Sequence, residues 1–305
     1  MLSSRLYRTA RDLTVSPRTL ATMPKARNLL MVRPTHFNVD NPINPHMRAS
    51  DGSLHLLNKE HAFVQWEALR QAYVDIGTPV TVIEGGEGLP DMVFCANQSF
   101  PILTRTGEKK VIQSNMANDI RHREVPYVMD ALTRAGYAVC ALPPRTPETL
   151  FEGMGDCLWL PGHRFLLGGY GHRTSAGIYE NVAVLAEADV ALFELPNPRF
   201  YHLDTCLAVL DAQSALACRA AFTADGWELL RSIFPRLIEV DVREADSPAF
   251  ACNAHCPDET HVLLQSGSAG TEKSLREAGF TPVPVDTAAF IKSGGSVFCM
   301  KLMYF

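Results

Sequence analysis

The feature that most constrains the fold is a recurring order of local patterns: two short extended segments, then a helix, then another extended segment. Glycine and proline stops separate these patterns. The order recurs about four or five times, at intervals of roughly fifty to sixty residues and without sequence self-similarity. A doubly wound α/β sheet would alternate strand and helix one for one. The additional hairpins instead predict small ββαβ units repeated radially around an axis.

The first of these patterns begins at Asn28, where a short apolar strand is stopped by Pro34. Trp66 and Leu69 then belong to an apolar series at helical spacing, which ends at Gly77. No obvious linker divides the chain after this point. We therefore expect a single α/β domain over residues 28–305.

Residues 1–27 differ from the rest of the chain because they are basic and rich in Ser, Thr, Leu and Ala. Their only acid is Asp12. They contain no apolar run long enough for a secretory signal or a membrane span. The segment resembles a mitochondrial targeting segment, and a plain basic extension is the alternative. The expected location is accordingly the mitochondrial matrix or the cytoplasm.

The overall composition is that of an ordinary globular protein, with 47% hydrophobic and 20% charged residues. The net charge of −5 gives no basic surface for nucleic acid and does not repel a small cationic substrate. None of the 8 cysteines lies in a CxxC pair, so the spacing of a zinc ribbon is absent. We expect reduced thiols, no metal and no membrane partner, and the sequence leaves homo-oligomer formation open.

In two segments, polar residues that could act in catalysis or in ligand binding lie among apolar neighbours. In YHLDTC, His202 and Asp204 are predicted to share one face of a strand, as an acid/base group with a carboxylate partner. A purely structural histidine is the alternative. In LPDMVFCANQSF, Asp91 and Asn97 are also predicted on one strand face. A buried aspartate and a buried asparagine must be paired or must face a ligand.

Three further segments contain a candidate each. In FEGMGD, Gly153 and Gly155 would let Glu152 approach a pocket closely, although a solvated turn has the same composition. Arg173 follows a glycine-rich turn and suits bidentate binding of a carboxylate, or else lies free on the surface. Cys299, near the chain end, is either a small buried hydrophobe or a nucleophile assembled by the fold.

Taken in order, the segments LPDMVFCAN, FEGMGD, YGHRTS, YHLDTC and SGGSVFC resemble the guanidino-group-modifying enzymes of the pentein fold. These enzymes are arginine deiminases, dimethylarginine hydrolases, arginine dihydrolases and amidinotransferases. The resemblance extends from about residue 29 to the end of the chain. It implies a five-bladed α/β propeller of ββαβ units, in agreement with the recurring order of patterns.

The resemblance also implies roles for the candidates. Cys299 matches the nucleophile, His202 the general acid/base and Glu152 the carboxylate that holds the histidine. Asp204 matches a carboxylate that grips the guanidinium, and Arg173 the arginine that binds the substrate's carboxylate. The substrate-binding residues implied in this way are Asp91, Asn97, Asp204, Arg173 and Asn44.

Some segments point to one branch of the superfamily. Asn97 in FCANQSF and Asn44 in FNVDNPINPHM resemble the arginine dihydrolases, which remove both terminal nitrogens. His46 stands where that branch has a tryptophan. Asn115 stands where relatives have an arginine near the substrate carboxylate, which predicts a weaker carboxylate contact and leaves open a substrate with a different tail.

The predicted function is hydrolysis of a small guanidino compound, arginine or a derivative such as methylarginine, through a thiouronium intermediate on Cys299. The product is a ureido compound of the citrulline type or, after a second hydrolysis, ornithine, ammonia and carbon dioxide. This chemistry needs no metal and no organic cofactor. Transfer of the amidino group to an amine is the alternative. A non-catalytic pentein binding protein would lack Cys299 and His202, and both are present.

Overall fold

The computed structural model describes residues 4–305. Its strands are β1 Leu6–Tyr7, β2 Asn28–Val32, β3 Val80–Ile83, β4 Ser99–Leu103, β5 Lys109–Gln113, β6 Ala138–Cys140, β7 Cys157–Trp159, β8 Phe165–Tyr170, β9 Asp189–Glu194, β10 Leu207–Val209, β11 Ser214–Ala217, β12 Arg236–Glu239, β13 His261–Gln265, β14 Thr281–Val285 and β15 Leu302–Tyr304. Its α-helices are α1 Lys59–Asp75, α2 Asp119–His122, α3 Val125–Arg134, α4 Gly153–Asp156, α5 Tyr179–Ala186, α6 Ala224–Ile233, α7 Val242–Ala245, α8 Ala269–Glu277 and α9 Ala288–Ile291.

The strands of the described chain form five separate sheets with one internal order. In three of them an antiparallel hairpin leads through a helix to a third strand, parallel to the second: β4–β5–α3–β6, β7–β8–α5–β9 and β10–β11–α6–β12. In the fourth, β15 lies antiparallel to β2, and α1 connects β2 to the parallel β3. In the fifth, α8 connects the parallel β13 and β14, and an antiparallel bridge between His255 and Leu263 replaces the first strand. The order of hairpin, helix and strand agrees with the sequence prediction.

The parallel pair β8–β9 is largely apolar because both of its faces are covered. In β8 and β9, Leu166 lies opposite Val190 and Leu167 lies opposite Ala191, and all four are fully buried. The helix of each unit packs its apolar side onto the sheet beside it. In α3 this side includes Val128.

The two ends of the main domain meet beside Cys299. In the β15–β2 pair Leu302 lies opposite Leu30, so the last strand of the chain joins the first strand of the domain. Just before β15, the carbonyl of Cys299 accepts the N–H of Ala96 at 3.2 Å. The chain end is thereby fixed against the segment that precedes β4.

The packed chain begins before Asn28, earlier than the sequence predicts. β1 pairs in parallel with β9, and Leu6 lies opposite Val190. The ring of Tyr7 is buried, and its hydroxyl donates to Asp189 Oδ2 at 2.8 Å. A two-residue strand gives no periodic signal in a basic segment, which explains why the sequence does not reveal it. A targeting role for residues 1–27 stays a prediction, and residues 1–3 lie outside the described part. Within residues 4–305, no helix combines the length and apolar character needed to cross a membrane.

Candidate active site

The predicted site residues converge on one pocket, although they come from distant parts of the sequence. The pocket is lined by Ile43, Asn44, Asp91, Phe94, Asn97, Arg121, Arg173, Tyr201, Ser293 and Cys299. The other predicted residues, Glu152, His202 and Asp204, are buried and connect to this lining by hydrogen bonds.

The site residues share a position within their sheets. Asn97 comes just before β4, Glu152 before β7, Asp204 before β10, and Cys299 before β15. Each therefore lies on the short segment that leads into the first strand of its sheet. In the fifth sheet, the corresponding place before the His255 bridge is taken by Asn253.

The predicted strand faces are wrong for two pairs of residues. Asp91 lies in a 3-10 turn, Pro90–Val93, and Asp204 lies in another, Leu203–Thr205. Pro90 occupies the first position of its turn, where its fixed φ and missing N–H favour a helical turn over a strand. These residues reach the pocket because the chain turns there, and not because strand alternation aligns them.

The thiol of Cys299 lies between a carboxylate and an amide. Its Sγ donates to Asp204 Oδ2 at 3.2 Å and accepts from Asn253 Nδ2 at 3.1 Å. Burial raises the pKa of Cys299 well above its ordinary value, and the neighbouring Asp204 raises the pKa further. With these neighbours alone, Cys299 is therefore a protonated thiol.

Asn253 is a site residue that the sequence interpretation missed. Its Oδ1 accepts the backbone N–H groups of Ser296, Phe298 and Cys299 at 3.1 to 3.2 Å. The same side chain therefore holds both the loop and the sulfur of Cys299. Its segment, ACNAHC, offers only a weak signal, because one asparagine between apolar residues is typical of any loop.

The imidazole of His202 is oriented by Glu152. His202 Nε2 donates to Glu152 Oε2 at 2.7 Å. The other ring nitrogen, Nδ1, lies 3.5 Å from Asn97 Nδ2 and is the nitrogen left to exchange a proton. Glu152 also lies 3.3 Å from Arg173 and accepts the N–H of Ala117. Burial acts to raise the pKa of Glu152, but Arg173 and His202 outweigh it and hold that pKa well below the ordinary range.

Two glycines allow this close packing. A Cβ at Gly155 would overlap the amide of Asn97 and lie 3.4 Å from the ring of His202. Gly294 has a φ of +87°, and a Cβ there would lie 2.5 Å from Asn44 Oδ1. Each position therefore requires glycine for the neighbouring site residue to keep its place.

The two aspartates of the site are buried. Burial raises the pKa of Asp204 to about 7, although its hydrogen bond from Cys299 and the charge of Lys301 lower it. Asp91 accepts from Ser293 Oγ at 2.8 Å, and burial raises its pKa as well. Both carboxylates are thus held where a bound cation would favour their charged form.

Arg121 is the second site residue that the sequence interpretation missed. Its guanidinium donates to the carbonyl of Phe94 at 2.8 Å and lies 3.4 Å from Asn97 Oδ1. Its Nε pairs with the buried Glu124 at 2.9 Å. The spacing of Arg121 and Glu124 is the only local signal, and such a pair is normally typical of a solvated helix face.

The expected loss of an arginine at Asn115 is corrected by the structure. Asn115 is absent from the pocket lining and donates to the carbonyls of Pro143 and Thr149, both at 2.9 Å. Arg121 supplies the second cation of the pocket instead. Among residues 4–305, no three His, Cys, Asp or Glu side chains form a group that could hold a metal ion.

Comparison with known proteins identifies relatives over almost the whole chain. Residues 33–305 match the family described as N,N dimethylarginine dimethylhydrolase, eukaryotic. The N(G),N(G)-dimethylarginine dimethylaminohydrolase of Mycobacterium tuberculosis is 36% identical over 92% of this chain and 86% of that protein. The bifunctional arginine dihydrolase/ornithine cyclodeaminase ArgZ of Synechocystis is 32% identical over 90% of this chain, which spans only 37% of ArgZ.

A solved structure leads to the same group. The N-terminal domain of ArgZ bound to substrate, an arginine dihydrolase from the ornithine-ammonia cycle in cyanobacteria, superposes with a TM-score of 0.82. The sequences are 31% identical, and the match covers 90% of this chain and 97% of that domain. The chain therefore belongs to the N,N dimethylarginine dimethylhydrolase family, within the pentein superfamily of guanidino-group-modifying enzymes.

Proposed function

We propose that this protein hydrolyses the guanidino group of arginine or of a methylated arginine, with Cys299 as the nucleophile. The observation that carries the proposal is the contact of Cys299 Sγ with Asp204 Oδ2, 3.2 Å away, beside the His202–Glu152 pair. A thiol, a carboxylate and an oriented imidazole supply a nucleophile, an anchor for a cation and a proton carrier. The family membership confirms the coarser expectation of a hydrolase that acts on carbon–nitrogen bonds of linear amidines.

The charges of the pocket complement an α-amino acid. Arg121 and Arg173 line the pocket together with Asp91, and both arginines lower the pKa of Asp91 against the effect of its burial. A substrate carboxylate would bind the two guanidinium groups, and its ammonium group would bind Asp91. Arg121 thus joins Arg173 in the role that the sequence resemblance gave to Arg173 alone.

The other end of the pocket suits a guanidinium group. Asp204 Oδ1 is buried and has no hydrogen-bond partner within the described residues, although buried carboxylate oxygens are normally paired. A guanidinium N–H would occupy this oxygen and neutralise the carboxylate. The pKa of Cys299, which burial and Asp204 both raise, would then fall, so that the substrate itself favours the thiolate.

The proposed reaction has two halves. The Cys299 thiol first gives its proton to His202 Nδ1. The resulting thiolate attacks the guanidinium carbon, and the bond to the departing amine breaks as His202 delivers this proton to the amine nitrogen. Water, deprotonated by His202, then attacks the thiouronium carbon. The carbon–sulfur bond breaks, which returns the thiolate and releases a ureido product.

Asn97 favours a second hydrolysis. An amide both donates and accepts, so Asn97 can hold the oxygen of a neutral ureido group, which a carboxylate would repel. Hydrolysis of the retained ureido product with one more water gives ornithine, ammonia and carbon dioxide. Hydrolysis of methylarginine to a ureido product is the second candidate, and the similarity to the Mycobacterium tuberculosis protein supports it.

The internal order of the sheets supports a proposal about the architecture as well. Five sheets with one order of elements suit the five blades of a propeller. The site residues of the different sheets would then meet near its axis, since each precedes the first strand of its sheet.

Product analysis tests the function. Purified protein is incubated with arginine, methylated arginines and agmatine, and citrulline, ornithine, ammonia and methylamines are measured. We expect two ammonia per ornithine from arginine and little turnover of agmatine, which lacks the carboxylate. Citrulline with methylamine or dimethylamine would instead support the methylarginine candidate. Turnover of none of these guanidines would refute the proposal.

The matched variants are Cys299→Ser and Cys140→Ser. Cys140 is a partly buried free thiol in β6, outside the pocket. Cys299→Ser should abolish turnover, whereas Cys140→Ser should keep the wild-type rate. Equal rates for the two variants would contradict the covalent step.

A further inference from the structure

Lys301 is an unusual residue because it is a cation in the interior of the protein, two positions after the nucleophile. Its side chain is fully buried, and its Nζ has no hydrogen-bond partner within the described residues. Its Nζ lies 3.1 Å from the centroid of the Phe298 ring, in a cation–π contact. Burying an ammonium group without a direct partner is costly, so a structural role alone gives no reason to keep it.

The titratable groups that interact with Lys301 come from four segments around the nucleophile. Burial lowers the pKa of Lys301 to about 7, whereas Asp204, Cys95 and Cys299 raise it. The charge of Lys301 in turn adds to the effect of burial in lowering the pKa of His255. The strongest attraction on the ammonium group is therefore that of Asp204.

The charge of Asp204 opposes the negative charge that Cys299 needs as a thiolate. Its carboxylate must be charged to grip a guanidinium, yet this charge disfavours the thiolate of Cys299, 3.2 Å away. The pKa of Asp204 is lowered by two cations, which are Lys301 and Arg121. The effect of Lys301 is the larger. Arg121 is already paired with Glu124. Lys301 is thus the internal cation best placed to offset the charge of Asp204.

Lys301 is absent from the lining of the substrate pocket. It borders a second cavity, lined also by Lys25, Met154, His255 and Phe298. This cavity shares no lining residue with the pocket that contains Cys299. We therefore expect the ammonium group not to contact a substrate bound in the pocket that contains Cys299.

We propose that Lys301 is a positioning residue whose buried ammonium group, when protonated, stabilises the Asp204 carboxylate and the Cys299 thiolate from outside the catalytic pocket. The inference rests on the proposed function, because it supports the same nucleophile. It predicts a property of the substrate-free protein, namely the reactivity of Cys299 as a function of pH.

The test is alkylation of Cys299 by iodoacetamide between pH 6 and pH 9, followed by mass spectrometry of the peptide that contains Cys299. Lys301→Met removes the charge and keeps the length of the side chain. We expect Lys301→Met to slow alkylation severalfold at pH 6, where Lys301 is charged, and to leave it almost unchanged at pH 9, where Lys301 is neutral because its pKa is about 7. Lys301→Arg, which keeps the charge, should retain most of the wild-type rate. Lys25→Met, at an exposed lysine of the same cavity, should change nothing.

Thermal unfolding separates this role from a structural one. Methionine suits an apolar interior, so Lys301→Met should unfold at the wild-type temperature or above while its thiol reactivity falls. A wild-type alkylation profile in Lys301→Met would overturn the inference. So would a parallel loss of stability and reactivity in both Lys301→Met and Lys301→Arg. A shifted profile in a protein that hydrolyses no guanidine would support the inference and count against the proposed function alone.

Discussion

At the scale of single residues, Asn253 determines where the sulfur of Cys299 lies. Its Oδ1 accepts three backbone N–H groups of the loop that contains Cys299, and its Nδ2 donates to the sulfur. Asn253→Ala would leave these buried donors unpaired, so we expect the free energy of unfolding to fall by about 2–4 kcal/mol. Loss of the hydrogen bond to sulfur should slow alkylation of Cys299 about tenfold. Urea unfolding and peptide mass spectrometry measure the two effects.

Asn115→Ala is the matched control, because Asn115 is also buried and also binds backbone groups, here two carbonyls, but lies outside the pocket lining. It should lose stability and keep the alkylation rate of Cys299. If both variants slowed alkylation equally, the effect of Asn253 would be a general consequence of instability and not of its contact with sulfur.

The sequence predicts only some of the residues in this site. Cys299 and His202 belong to motifs that the resemblance covers, and the structure places both at the pocket. Asn253, Arg121 and Lys301 escape prediction because their importance comes from burial beside partners far along the chain. A local pattern cannot show that an asparagine, an arginine or a lysine is buried, since most such residues are exposed.

At the scale of secondary-structure elements, the N-terminal strand β1 offers a test of where the packed chain begins. Tyr7 is buried, its ring centroid lies 6.0 Å from that of Phe165, and its hydroxyl binds Asp189. Tyr7→Ala should lower the free energy of unfolding by about 3 kcal/mol, because it removes a buried ring. Tyr7→Phe loses only the hydrogen bond, at about 1 kcal/mol.

Neither substitution should change the turnover of the folded protein, because Tyr7 is absent from the lining of the catalytic pocket. Val184→Ala in α5 is the control at an exposed apolar side chain, 69% accessible, and should leave stability almost unchanged. A Tyr7→Ala protein as stable as the wild type would mean that residues before Asn28 contribute nothing to the fold.

The elements divide into those that a sequence pattern reveals and those that it does not. Helices such as α1 and the apolar strands are predictable, because burial of one face imposes a period on the sequence. The segments that contain Asp91 and Asp204 are predicted as strands, because a 3-10 turn of three or four residues has no period to detect. The site is built mainly on such turns, so the geometry around its side chains is the least predictable part of the fold.

At the scale of the whole molecule, the segments that lead into the five sheets each bring one or two polar side chains to the site. Several of these side chains are buried carboxylates. Burial raises the pKa of Asp204 to about 7 and that of Asp156 to about 6. A buried carboxylate that ionises costs stability, so charging these two aspartates lowers the free energy of unfolding. Substrate binding would then relieve part of this cost.

Asp204→Asn makes that cost measurable. The pKa of Asp204 is about 7 in the folded protein against an ordinary aspartate value of 3.8, so the folded state retains a proton between about pH 4 and pH 7 that the unfolded state has lost. Stability from this group therefore falls as the pH rises through that window. An amide does not ionise, so Asp204→Asn should be more stable than the wild type by up to about 4 kcal/mol at pH 8 but by only about 1.5 kcal/mol at pH 5, although it should lose turnover. Urea unfolding at both pH values measures the difference.

Asp241→Asn, at an exposed carboxylate whose hydrogen bonds with Arg243 lower its pKa, should give no gain at either pH. A gain for Asp204→Asn that is equal at pH 5 and pH 8, or a loss at pH 8, would show that the ionised carboxylate is not what limits the stability of this site.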